Sequence, residues 1–231
     1  LDIAIPGAAS AIFFNQGQVC CAGSRLFVPD NLYDQVTEGL AQAASALQVG
    51  SGLNPENMIN PVVSQTQFDR VMGYIDSGRE EGADVIAGGG RRGDQGYFIE
   101  PTVLGNTTRD MKVVREEIFG PVVCVQRYSD VSEIPALAND TVYGLGASIW
   151  TRDVGNIINI VPKIKSGTVW VNCHNILDIA MPFVLWRKVM SSPGLSGFVP
   201  QTSGKGLPCP FFLSSEEFLA YTQTRCQEKF V

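Results

Sequence analysis

Short runs rich in β-branched and aromatic residues alternate with longer amphipathic stretches along most of this chain, and that alternation limits the fold more than any other feature. The strand candidates are Arg25–Val28, Asp84–Ala87, Tyr97–Leu104, Val122–Tyr128, Ala147–Trp150 and Thr168–Cys173. Between them lie helical patterns. Residues 2–14 read as a small-residue helix broken by the turn chemistry of Asn15–Gly17. Asp30 reads as an N-cap for a helix through about Leu47, with Leu32, Val36, Leu40 and Leu47 on one face. Ser64–Glu81 places Phe68, Val71, Met72 and Ile75 at helical spacing, and Ser132–Asn139 and Val154–Ile164 read as further helices. Gly88–Gly96 is a glycine-rich, hairpin-like loop. Strands alternating with helices predict βαβ units, hence an α/β fold with a mostly parallel sheet and helices on both faces.

Composition removes several function classes. The 231 residues carry 45% apolar and 17% charged side chains and a net charge of −6, the balance of a globular protein. No run of Lys and Arg exists to neutralise phosphates, so a nucleic-acid partner is not expected. The apolar stretch Ile3–Phe14 is shorter than the roughly 20 residues a bilayer requires, so no membrane span is expected. Six cysteines without a CxxC and a single histidine, His174, make neither a disulfide framework nor a zinc set, and no metal is expected. A reducing cytoplasm is the simplest setting. The chain opens inside a helical pattern without a methionine, which suggests a fragment of a longer protein.

The most informative stretch is Phe13-Phe14-Asn15-Gln16-Gly17-Gln18-Val19-Cys20-Cys21-Ala22-Gly23-Ser24-Arg25. Taken singly, two adjacent cysteines would be buried thiols in a helix-to-strand turn. Their context gives them another use. A free thiol is only about 3% ionised at pH 7, so a reactive cysteine needs assistance. Gly17 permits a close backbone approach, and an amide beside the nucleophile can donate to a developing oxyanion, worth roughly 2.7–4 kcal/mol.

This run resembles the active-site signature of the NAD(P)-dependent aldehyde dehydrogenases, in which a Gly-Gln/Glu-x-Cys segment carries the nucleophile. The resemblance implies that Cys20 attacks the aldehyde carbon, while Val19 and Cys21 flank the substrate tunnel. A second run, Glu116-Glu117-Ile118-Phe119-Gly120-Pro121-Val122, is similar to the family's segment at the nicotinamide end of the cofactor. By that resemblance Glu117 accepts from the ribose hydroxyls and Phe119 packs on the nicotinamide side, whereas Glu116 is structural. Gly96–Leu104 also looks like the family and reads as scaffold. His174 reads as a polar loop histidine that nothing pairs with Cys20 as a base. Met181-Pro182-Phe183 is similar to the start of a substrate-pocket segment, which makes Phe183 and Leu177 candidate walls. The stretch Val171–Phe183 most resembles the betaine-aldehyde and arylacetaldehyde branch.

The resemblance implies a catalytic domain over residues 1–183. Residues 184–214 depart from the family pattern, and 215–231 resemble a remnant of its oligomerisation strand. It also implies NAD or NADP as cofactor, bound mostly by a domain preceding residue 1, a small-molecule aldehyde as substrate, and a homo-oligomer. The implied reaction is oxidation of the aldehyde to a carboxylic acid through a cysteine hemithioacetal and thioester. Two other readings of the chain by itself stay open: a non-catalytic fragment, or a residual cysteine-dependent esterase.

Overall fold

The computed structural model describes residues 1–180, Phe183 and the backbone of residues 218–222. The atypical stretch 184–214 therefore lies outside the described residues, as does most of 215–231.

Seven strands form one sheet: β1 (Arg25–Pro29), β2 (Asp84–Ala87), β3 (Thr102–Gly105), β4 (Val122–Tyr128), β5 (Gly146–Thr151), β6 (Thr168–Val171) and β7 (Phe218–Thr222). Their spatial order is β2-β3-β4-β1-β7-β5-β6. Parallel pairing joins β3 to β4, β4 to β1 and β5 to β6. The antiparallel pairs belong to β2 at one edge and to β7, which runs between β1 and β5. The sheet is thus parallel within each half and mixed where β2 and β7 join.

Among the described residues six α-helices cover it: α1 (Ala4–Phe13), α2 (Tyr33–Ala46), α3 (Gln65–Glu80), α4 (Lys112–Arg115), α5 (Ile134–Asn139) and α6 (Val154–Ile160). Side chains alternate across a strand, and all five residues of β1 are buried. Leu26 and Val28 pack with Val103, Val123, Val125 and Trp150 under α1 and α2. On the opposite face, Leu104, Val122 and Cys124 pack with α3 and α4, while Phe27, Ala147, Ile149 and Val169 pack with α5 and α6. Helices on both faces explain why Leu26, Phe27 and Val28 of β1 are apolar in succession. Among the described residues, no helix is long and apolar enough to cross a membrane.

Several boundaries differ from the sequence reading, each for a physical reason. The run Tyr97–Leu104 forms a strand only from Thr102, because Pro101 has no N–H for a ladder, and Ile99 instead makes an isolated bridge to Arg91. Asp30 does not cap α2. Its carboxylate accepts from the Ser129 hydroxyl at 2.7 Å, and a 3₁₀ turn, Asp30–Leu32, leads into the helix. Ser64 does cap α3, accepting from the Gln67 amide at 3.2 Å. The helix starting at Val154 ends at Ile160, and a 3₁₀ turn over Val161–Lys163 follows, with Pro162 unable to donate. Strand β6 stops at Val171 because Asn172 turns to φ +55° and exchanges two hydrogen bonds with the Thr151 backbone, at 2.9 and 2.8 Å.

Candidate functional site

The site begins where α1 ends. This helix is built of small residues because it lies close to the sheet: a Cβ on Gly7 would stand 2.2 Å from the Trp150 indole. After Phe13 the chain takes three consecutive left-handed residues, Asn15 (φ +49°), Gln16 (φ +57°) and Gly17 (φ +67°). A Cβ on Gly17 would meet the Gly120 carbonyl oxygen at 2.0 Å. The close approach expected at Gly17 is therefore real, and its partner is the backbone of the 116–120 segment.

Beyond Gly17 the chain forms a turn over Val19–Ala22, closed by the Ala22 amide donating to the Val19 carbonyl at 3.0 Å. Cys20 and Cys21 occupy its two central positions. Cys20 is half-buried, whereas Cys21 is only 1% exposed. Burial first, then the neighbouring Cys20 thiol, pushes the Cys21 thiol up to about 12. It stays protonated at neutral pH and donates to Asn175 Oδ1 at 3.0 Å. The flanks of the turn are tied down as well. The Gly23 amide donates to the Ala11 carbonyl at 2.9 Å, and Gln18 Oε1 accepts from the Val63 amide at 3.0 Å.

The facing segment, 116–120, is held from α3. Gln67 Nε2 donates to the carbonyls of Ile118 (3.1 Å) and Phe119 (2.8 Å). Arg70 Nη2 donates to the Glu117 carbonyl at 2.6 Å, and the Tyr74 hydroxyl to Glu116 Oε2 at 2.8 Å. Phe119, half-buried, sits at φ +56°, a conformation uncommon for a bulky residue. Glu117 is 7% exposed. Glu116 thus serves the scaffold, through Tyr74. Gln67 and Arg70 went unnoticed in the sequence; the available signal was their place with Tyr74 on one polar stripe of α3.

A third segment, 172–175, follows β6 and doubles back with left-handed Asn172 and Asn175. It brings His174 Nε2 within 2.6 Å of the Cys21 carbonyl and Nδ1 against Ser148 Oγ. The imidazole leans on Trp170 at a centroid distance of 4.9 Å. Burial pulls its pKa down to about 4, opposed in part by the hydrogen bond to the Cys21 carbonyl. His174 is therefore a half-buried residue hydrogen-bonded through both ring nitrogens, not simply a polar loop histidine.

A cavity of about 120 Å³ opens between these parts, lined by Ser10, Ala11, Phe14, Val19, His174 and Asn175. Val19 forms part of its wall, whereas neither Cys20 nor Cys21 lines it. Leu177 is 58% exposed beyond the loop. Phe183 approaches Trp170, with ring centroids 6.3 Å apart. A larger cleft of about 520 Å³, lined by Leu47, Asn57, Gly88, Arg92 and Glu100 among others, holds none of the candidate residues. No cluster of His, Cys, Asp and Glu suited to a metal ion occurs among the described residues.

Comparison with known proteins gives one consistent result. Residues 1–188 match the profile of the aldehyde dehydrogenase family. An aldehyde dehydrogenase of Aspergillus niger is 46% identical over 183 residues, which are 79% of this chain and 37% of that protein. A human mitochondrial aldehyde dehydrogenase is 40% identical over the same length, covering 79% of this chain and 35% of its own. Among solved structures, an NAD+ complex of aldehyde dehydrogenase from Bacillus cereus aligns with a TM-score of 0.78 at 42% identity, over 80% of this chain and 38% of that one. A betaine aldehyde dehydrogenase from Staphylococcus aureus, also with NAD+, aligns at 0.77 and 33%, over 80% of this chain and 37% of its own. The chain spans well under half the length of the relatives it matches.

Proposed function

The chain belongs to the aldehyde dehydrogenase family, and from that premise we propose that it carries the nucleophile of an enzyme oxidising an aldehyde to a carboxylic acid with NAD or NADP. The observation that supports this most directly is the contact of Gly17 with Gly120. It brings the stretch that leads into the half-buried Cys20 against the segment bearing Glu117 and Phe119.

The Cys20 thiolate adds to the aldehyde carbon, giving a hemithioacetal. Loss of hydride turns that adduct into a thioester, and water releases the acid. Cys21, held protonated and donating to Asn175, does not compete for the substrate. Val19 and Phe14 offer apolar surface to the aldehyde side chain in the small cavity, with Phe183 and Leu177 as outer walls.

The residues of the 116–120 segment fit the nicotinamide end of the cofactor. Glu117 brings a carboxylate with two acceptor oxygens, the complement of a vicinal diol, and Phe119 a half-buried aromatic ring suited to a flat heterocycle. When bound, the cofactor supplies the acceptor for the hydride. Gln67 and Arg70 hold the backbone that presents Glu117 and Phe119.

Residues 1–183 as a catalytic domain, 184–214 as an atypical segment and 215–231 as an oligomerisation remnant belong to the same reading, with a homo-oligomer in the cytoplasm. The short coverage of the relatives favours a second reading of the chain in isolation: thiol chemistry on activated esters without a complete oxidation cycle. Replacing Cys20 with Ala in the complete protein is expected to abolish aldehyde-dependent reduction of the nicotinamide while leaving cofactor affinity unchanged. Residual turnover above about one percent would remove Cys20 from its role.

A further inference from the structure

Resting on Cys20 as the nucleophile, we propose that His174 and Asn175 are positioning residues that clamp Cys21 at two points and so fix the pose of the reacting thiol beside it. Neither side chain acts on the substrate in this role.

The clamp follows from the construction of the turn. Cys20 and Cys21 are its central residues, and one backbone hydrogen bond, Ala22 to Val19, closes it. That bond grips the Cys21–Ala22 peptide at its N–H, while the carbonyl of the same peptide and the Cys21 side chain are held by two further contacts from outside the turn. His174 Nε2 donates to the Cys21 carbonyl at 2.6 Å, and Asn175 Oδ1 accepts from the Cys21 thiol at 3.0 Å. One holds the main chain, the other the side chain, and both come from adjacent residues of the 172–175 segment.

The anchoring of the clamp is itself determined. A carbonyl oxygen only accepts, so Nε2 carries the imidazole proton and Nδ1 is left as an acceptor. Ser148 Oγ, on β5 and fully buried, then donates to Nδ1. A directed chain of donors thus runs from the sheet through Ser148 and His174 to the Cys21 carbonyl. Trp170, fully buried on β6, backs the imidazole, and its Nε1 donates to the Ile176 carbonyl at 2.8 Å, securing the far side of the segment. With Nε2 committed to a carbonyl and Nδ1 to a hydroxyl, the ring has no nitrogen left to serve as a general base. Its task is geometric, and displacing a nucleophile by about 1 Å is enough to slow its reaction by up to roughly 100-fold.

The test uses nitrophenyl acetate hydrolysis by the complete protein, with the acetyl group located by peptide mass spectrometry. His174→Phe keeps a ring beside Trp170 and removes the donor; His174→Gln retains an amide donor; Asn175→Gly removes the acceptor while tolerating the φ of +57°. In His174→Phe the limiting acylation rate at Cys20 is expected to fall about tenfold with the half-saturating ester concentration within twofold. His174→Gln is expected to recover most of that loss. Asn175→Gly is expected to let iodoacetamide label Cys21, which stays silent in the parent. Should His174→Phe fail to fold, Ser148→Ala, which removes the donor to Nδ1, is expected to slow acylation by about threefold without changing half-saturation. Acylation at the parental rate in the folded variants, or a loss that His174→Gln does not recover, would overturn the clamp. Absence of acetyl on Cys20 in the parent protein would overturn the nucleophile assignment instead, and the clamp with it.

Discussion

Substituting Gly17 with Ala tests the contact on which the site is assembled. The added Cβ would lie 2.0 Å from the Gly120 carbonyl oxygen and 2.5 Å from its carbon. Ordinary contact begins near 3.4 Å, so the two segments must part by about 1.4 Å. The φ of +67° adds a separate penalty, roughly 1–2 kcal/mol for a residue with a Cβ. Overpacking between two backbones costs a further 1–3 kcal/mol or so, for a total of roughly 2–5 kcal/mol. At about 2–4 °C per kcal/mol for a chain of this size, the thermal midpoint should fall by about 4–20 °C. Function should suffer more than stability, because the parting separates Cys20 from the Glu117 segment; a loss of about 100-fold in aldehyde turnover is expected. Gly82→Ala supplies the control. Its φ is +95°, yet nothing lies within 4 Å of the added Cβ, so it brings backbone strain without a clash. It should lower the midpoint modestly and leave turnover per folded molecule intact. Calorimetry and steady-state turnover on the two variants decide the matter. Equal turnover in both would refute the argument that Gly17 exists to bring the segments together.

Three other expectations follow from single features. Gly73→Ala, at an exposed position of α3 with open space around the new methyl, should raise stability by about 0.5–1 kcal/mol, seen as a higher urea midpoint. Gln67→Ala removes both donors to the 118 and 119 carbonyls, so stability should fall by roughly 1–3 kcal/mol. It should also raise the half-saturating cofactor concentration several-fold while ester acylation of Cys20 stays unchanged. The histidine gives an acid limb to stability. Burial lowers its folded pKa from 6.5 to about 4, so between these values the unfolded chain binds a proton that the folded chain refuses. The contribution is complete above pH 6.5 and is lost as the pH falls toward 4, by about 1–3 kcal/mol. Urea midpoints at pH 7.5 and 4.5 should therefore differ less in His174→Gln than in the parent, and an equal difference would contradict the assignment.

The α/β class was legible because both-face burial writes itself into local sequence: Leu26, Phe27 and Val28 of β1 are apolar in succession, and α3 repeats its apolar residues at helical spacing behind a capping serine. The helix-to-strand turn that carries the two cysteines was legible for a similar reason, since it is encoded within the residues around it. What stayed hidden depends on partners far along the chain. Asp30 looks like a cap until Ser129 appears beside it. Gln67 and Arg70 look like an ordinary polar face until the 116–120 segment folds onto α3. His174 looks like any polar loop residue because the groups that bind it, Ser148 and Cys21, stand 26 and 153 residues away. No local pattern encodes such pairings.

The distribution of backbone strain points to the same region independently of side-chain chemistry. Among the described residues, six non-glycine positions have positive φ: Asn15, Gln16, Asn106, Phe119, Asn172 and Asn175. All but Asn106 belong to the three segments that converge on the stretch from Gly17 to Ala22. Each such residue costs on the order of 1 kcal/mol unless its side chain favours the conformation, as asparagine does. Gln16 and Phe119 have no such excuse, and they flank the Gly17–Gly120 contact. A fold selected only for stability would relieve them with glycine. Keeping them trades stability for segments whose reversals are stiffer than glycine would make them, with Gln67 bracing Phe119 from α3. That is the arrangement expected where a thiol must be held in place before the carbonyl arrives, since freedom removed in advance need not be lost in the transition state.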